Sequence, residues 1–151
     1  MADLMNFDLS RFTDAQEGVY PRALKEIKSG QKQTHWMWFF FPQIDGLGRS
    51  SMAQCYAIKS IEEARQYLQH PVLGTRLREC AEALLSVKGL SIAEIMGYPD
   101  DLKLKSCMTL FAEVTEPDAV FMRVLNKYFE GERDMRTLQI LAERKRGEHR
   151  C

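Results

Sequence analysis

His35 stands at the edge of the run Trp36-Met37-Trp38-Phe39-Phe40-Phe41, in which five of six residues are aromatic. Beside two tryptophans its imidazole is expected to be partly desolvated. That favours the neutral ring, which can serve as base, hydrogen-bond partner or metal ligand. Glu17 is the matching carboxyl. Against aromatic rings a carboxylic acid keeps its proton more readily, the state a general acid needs. Glu17 and His35 are therefore the catalytic candidates for a hydrolytic step. The plainer alternatives are a backbone-bonded histidine and a boundary glutamate with its head in water.

The ligand-binding candidates surround the same run. Trp36, Trp38 and Phe40 are expected to wall a pocket. Gln16 lies one helical turn from Phe12 and Tyr20, so its amide borders an apolar stripe and needs partners. Gln43 follows the aromatics. Lys103, Ser106 and Thr109 recur at three-residue steps on one predicted helix, where a lysine and hydroxyls could hold a phosphate or carboxylate. The order, lysine before serine, is the reverse of the signature in which lysine activates a serine nucleophile. The alternative is a solvated face whose hydroxyls bond back to helix carbonyls. Arg49 sits in Gly46-Leu47-Gly48-Arg49-Ser50-Ser51, where backbone amides opening a helix could take an anion. That loop lacks a Gly-Lys-Ser/Thr ending and follows no strand, so a turn with a cap is the simpler reading. His70 and His149 show no metal-ligand spacing, and no metal is expected. No particular cofactor is implied.

Composition bounds the classes. Lysine plus arginine equals aspartate plus glutamate, 21 each, so no basic field favours nucleic acid. The longest apolar run, Trp36 to Phe41, is far short of the ~20 residues that span a bilayer. The acidic first residues do not read as a signal peptide. Cysteines 55, 80, 107 and 151 form no CxxC pair, and read as reduced thiols of a cytoplasmic protein. At 151 residues, one domain is expected.

The elements that must position these residues are helical. Leu9, Phe12, Ala15, Val19, Ala23 and Ile27 form one stripe. Pro21 interrupts it, so a kink or two short helices meeting near Tyr20 are expected, with Ser10 as N-cap and Gly30 as terminator. Thr34 is expected to cap a short helix through the aromatics, stopped by Pro42. A buried strand is the rival, with no partner strand in the chain. Helices are then predicted over Met52 to Ile58, Ile61 to Gln69, Pro71 to about Val87, a short one after Ser91, Leu102 to about Val114, one opened by Glu116-Pro117-Asp118, and Met135 to about Lys145. Ser60/Glu63 and Ser91/Glu94 read as capping boxes. Residues 144–151 are expected to fray. The fold class is all-α: an irregular compact bundle of seven to eight short helices, core about 9–143.

Several strings carry a resemblance. They are Arg11-Phe12 with Asp14-Ala15-Gln16-Glu17, His35-Trp36-Met37-Trp38-Phe39 with Phe41-Pro42-Gln43, and Gly46-Leu47-Gly48. Further on come His70-Pro71-Val72-Leu73-Gly74, then Asp100-Asp101-Leu102-Lys103 with Ser106 and Met108-Thr109-Leu110-Phe111. From Leu9 to Leu141 the chain resembles the bacterial family of domains of unknown function DUF1810, departing at Cys107, where serine is the family residue. The resemblance implies a compact helical protein and no established activity. The short-helix plan is also similar to N-glycosidase-like domains linked to NAD and ADP-ribose, without a motif that matches residue by residue. The expected function is a small-molecule-binding or hydrolysing domain, the ligand being nucleotide-like or NAD/ADP-ribose-like. The alternative is a non-enzymatic interaction or homodimerisation module with the aromatics as core.

Overall fold

The residue that decides the entry of the chain is Gly18. Its φ of +73° is a left-handed conformation that suits glycine, and it separates α1 (Ser10–Gln16) from α2 (Tyr20–Lys28). Of the two expected outcomes, the chain takes two helices rather than one kinked helix. Pro21 lies in the first turn of α2, where its missing N–H is no loss. Ser10 is not the N-cap: the Asp8 carboxylate accepts the Ser10 N–H at 3.0 Å instead. Gly30, at φ +79°, ends α2 as expected. Its N–H reaches Ile27 O, and Gln31 N–H reaches Glu26 O, the paired bonds of a Schellman motif.

The computed structural model describes residues 7–116 and 119–150, with side chains through residue 144. The expected helix start at Pro117-Asp118 and the terminal Cys151 fall outside these residues. The aromatic run forms a helix, α3 (Met37–Phe40). Thr34 does not cap it, because its hydroxyl is turned to Glu26. Among the described residues the one strand-like pairing is an isolated parallel bridge, Ile44 to Ile58. It brackets α4 (Ser51–Cys55), shorter than expected and capped by Ser50.

α5 (Ile61–Gln69) has its expected bounds. Its capping box is half built: Ser60 takes the Glu63 N–H, while the Glu63 carboxylate takes the Lys59 N–H and Arg11. α6 (Leu73–Ser86) follows, and His70 Nδ1 accepts the N–H groups of Val72 and Leu73 at its start. α5 and α6 approach so closely that a Cβ on Gly74 would lie 2.0 Å from Leu68 O. α7 (Ile92–Met96) has the full Ser91/Glu94 box. α8 (Asp100–Ala112), α9 (Val120–Phe129) and α10 (Met135–Arg150) complete the chain. The segment from 144, expected to fray, continues as helix to Arg150.

These are ten helices among the described residues, more than the seven to eight expected. The first divides at Gly18, and four-residue and five-residue helices leave little periodicity to read. α8 lies at the centre. Leu104, Cys107, Met108, Leu110 and Phe111 have no solvent exposure, and α9, α7, α10 and α5 pack around it. From Leu104 to Phe111 it is a core helix, while Leu102, Lys103 and Lys105 reach its open side. Phe12, Trp36, Phe40, Tyr67 and Phe121 fill the rest, each burial stabilising by roughly 1.5–3 kcal/mol.

Candidate functional site

Trp36 and Phe40 do not wall a pocket. Both are fully buried, so the expectation that they face a ligand is overturned. Trp36, at the N-cap of α3, packs against the rings of Phe40 and Phe41, and Phe40 packs also against Tyr20, which closes both into the core. The Trp36 indole N–H donates to Glu26 Oε1 at 2.8 Å. The same carboxylate accepts the N–H groups of Gln33 and Thr34 and the Thr34 hydroxyl. Burial pushes the Glu26 carboxyl up, but these donors outweigh it and hold its pKa at about 2. Glu26 is thus a staple between α2 and the segment leading into the aromatics.

Gln16 is fully buried, as its position implied, and its amide is already engaged. Nε2 donates to Phe39 O at 2.6 Å and contacts the Tyr67 hydroxyl, while Oε1 accepts from Arg76. It meets neither His35 nor Lys103, and its partners make it a tie from α1 to three helices, α3, α5 and α6. Glu17 and His35 are both exposed. No hydrogen bond or ion pair joins them among the described residues, and His35, on the segment that leads into α3, is exposed rather than partly buried. Arg49 is also exposed, and Ser50 caps α4 in an ordinary turn.

Three of the candidates do come together. Gln43, Lys103 and Ser106 line one cleft of about 340 Å³, with Lys105 and Asp134. Leu47, Leu102 and Pro99 supply its apolar sides. Its floor is the outer surface of α8. Ser106 is nearly buried and its hydroxyl donates back to Leu102 O at 3.3 Å. Thr109, fully buried, donates to Lys105 O and accepts the Asp134 N–H at 2.8 Å. This bond seats Asp134 beside α8, while Asp134 Oδ2 caps α10 through the Thr137 N–H and hydroxyl. The Gln43 backbone is fixed by Ile58, and its side-chain amide makes no hydrogen bond among the described residues.

Lys103 is held in two ways. Its ammonium lies 4.6 Å from the centre of the Trp38 ring and 3.6 Å from Asp100 Oδ1. Asp100 also pairs with Lys32 at 2.9 Å, and Lys32 sits over the Trp36 ring at 5.0 Å. Two lysines thus cover two tryptophans and share one carboxylate. Trp38 is half-buried, and its Nε1–H is shut from solvent with no partner among the described residues. Chemically, the cleft offers two ammonium groups, a hydroxyl, a free amide and a carboxylate between apolar walls, the groups with which a small polar molecule is held. It contains neither of the catalytic candidates.

Lys32, Asp100, Lys105 and Asp134 were missed as site residues. Asp100 and Asp134 read in the sequence as helix-start residues, and that is one of their two roles. Among the described residues no three His, Cys, Asp or Glu side chains gather as a metal site requires. No helix among them is long and apolar enough to cross a membrane.

A family model described as a protein of unknown function (DUF1810) matches residues 6–141. Among solved structures, the chain is similar to the crystal structure of the conserved hypothetical protein Rv1873 from Mycobacterium tuberculosis. The two are 52% identical, with a TM-score of 0.88, and the match covers 90% of this chain and 97% of that one. No curated protein matches.

Proposed function

The chain belongs to the DUF1810 family of proteins of unknown function, and from that premise we propose that it binds a small anionic molecule in the α8 cleft. One observation carries this reading. Gln43, Ser106 and Lys103, from separate stretches of chain, converge on a cavity, and the Gln43 amide there has no partner in the described structure. A cavity of this volume with apolar sides and a few convergent polar groups is the usual form of a small-ligand site. Nucleotide-like and ADP-ribose-like molecules remain suitable probes because they carry phosphate. Trp36 and Phe40, both buried, offer no wall to them. Binding, rather than hydrolysis, is the reading that fits, since Glu17 and His35 lie outside the cleft.

The test is calorimetric titration with inorganic phosphate, nucleoside monophosphates and ADP-ribose. Wild type and Lys103→Met are compared, since methionine keeps an apolar stem against Trp38. Binding by wild type that Lys103→Met loses supports the proposal. No binding of any probe overturns it.

The interaction-module reading has one observation in its favour. Tyr98, Leu102 and Met135 are 80%, 50% and 67% exposed, and each is a lining residue of the cleft or next to one. Apolar side chains around a polar cleft suit a contact surface. Light scattering coupled to gel filtration tests the homodimer form of this reading, and a monomer at all concentrations excludes that form.

A further inference from the structure

The charges of the α8 cleft are not of one sign. Lys103 lies near the start of α8. Asp134 is tied to Thr109 on the same helix, six residues further on, which is about 9 Å along the axis at 1.5 Å per residue. Lys103 leans toward Asp100, back toward the helix start. The cleft therefore has a cationic end and an anionic end, with Ser106 and Gln43 among its lining residues.

Both ends keep capacity for a ligand. A lysine ammonium has three donors, and Asp100 sits at 3.6 Å from that of Lys103. The second cation, Lys105, is engaged by Glu132 at 3.2 Å, so Lys103 is the stronger anion pole. Asp134 gives Oδ2 to Thr137, while Oδ1 makes no hydrogen bond among the described residues. An anion alone would pair with Lys103 and leave the Asp134 carboxylate of the same lining without a partner in the ligand.

We infer that the ligand of this cleft is a small zwitterion of amino-acid type, its carboxylate on Lys103 and its ammonium on Asp134. The inference rests on the proposed binding site and deepens it: the anionic group held by Lys103 belongs to a ligand that also carries a cationic group. Charge-assisted contacts at each pole are about 2.8 Å long, and a series of amino acids of increasing chain length reads out the separation of the two poles. Leu47 and Leu102 flank the ligand's methylene chain, and the Gln43 amide can donate to its carboxylate or accept from its ammonium.

The probes are β-alanine, 4-aminobutyrate and 6-aminohexanoate, with butyrate, butylamine and inorganic phosphate as single-pole controls, all by calorimetry. 4-Aminobutyrate is expected to bind wild type at least about tenfold more tightly than butyrate or butylamine, a factor typical of one added charge-assisted contact. Asp134→Asn and Asp134→Ser are expected to reduce that ratio to near one. Both replacements retain N-cap chemistry for α10, so their helical circular dichroism should match wild type. Equal binding of 4-aminobutyrate and butyrate by wild type overturns the zwitterion. If phosphate still binds in that case and Lys103→Met abolishes it, the anion site itself stands. Failure of every probe overturns both.

Discussion

The indole N–H of Trp36 donates to the carboxylate of Glu26 at 2.8 Å, and both groups are closed off from solvent. Thr34 and Gln33 complete a set of donors with no cation among them. Burial opposes the charge, and the combined donors keep it, lowering the pKa from 4.5 to about 2. A depressed folded-state pKa contributes stability above the unfolded value and loses it as pH falls through the folded value. The window is therefore from about pH 4.5 down to about pH 2. At about 1.4 kcal/mol per tenfold change in proton affinity, the contribution is about 3 kcal/mol. Glu26→Gln should cost about 2 to 3 kcal/mol at pH 7 by urea denaturation, within the range for charged hydrogen bonds. The gap should close toward pH 2, and an equal gap at pH 7 and pH 2.5 would sink this account.

What the sequence could reveal followed from what is local. Caps and stripes gave α5 its bounds, α7 its full box and Gly30 its Schellman motif, because each depends on residues within one or two turns. The helix through the aromatics was legible for the same reason: no strand partner existed for Trp36 to Phe41. The site was legible in part. Lys103 and Ser106 share a helix face, and Gln43 follows the aromatics that flank it. That Glu17 and His35 stand exposed and unjoined was not legible, since it depends on how α1 and the segment before α3 pack on the rest of the chain. Asp134 joins the cleft only through Thr109, a contact across 25 residues that no local pattern encodes.

Gln16 ties three helices through one amide, so its loss should be felt as unsatisfied partners rather than lost volume. Gln16→Leu keeps the bulk but removes the acceptor of Arg76 and the shorter of the two donors to Phe39 O, the Tyr67 hydroxyl being the other. An unsatisfied buried group costs about 1–3 kcal/mol, so a loss of about 2 to 4 kcal/mol is expected in chemical denaturation. Gln16→Glu sets a carboxylate against Phe39 O, and only its protonated form can donate there. Its deficit relative to wild type should shrink between pH 7 and pH 4. A deficit that ignores pH would mean the amide hydrogen to Phe39 O is not what matters.

The thiols should separate by reactivity. Burial pushes the Cys80 thiol up to about 12 and raises Cys107 well above its ordinary value. Both are closed within α6 and α8, whereas Cys55 is exposed at the end of α4. The thiolate is the reactive species. Maleimide labelling of the native protein at pH 7, resolved by peptide mass spectrometry, should modify Cys55 within minutes and leave Cys80 and Cys107 intact until denaturant is added. Native labelling of Cys107 at the rate of Cys55 would contradict the closed packing around α8.

Asp100 serves two lysines unequally, and that inequality can be measured. Lys32 lies 2.9 Å from it with its side chain 7% exposed; Lys103 lies 3.6 Å away and is 25% exposed. Lys32 also donates to Thr34 O at 2.7 Å, so it is fixed on both sides and shielded from water. A pair so placed is screened little, while the more open and longer pair resembles a surface ion pair worth about 0–1 kcal/mol. Double-mutant cycles with Asp100→Asn and each Lys→Met should therefore give a coupling of about 1 to 3 kcal/mol for Lys32 and less than about 0.5 kcal/mol for Lys103. The weak coupling at Lys103 is what leaves its ammonium available to a ligand, because the same contact cannot both saturate the charge and leave it free. Equal couplings would place Lys103 in a closed structural pair, and the cleft would lose its cationic end.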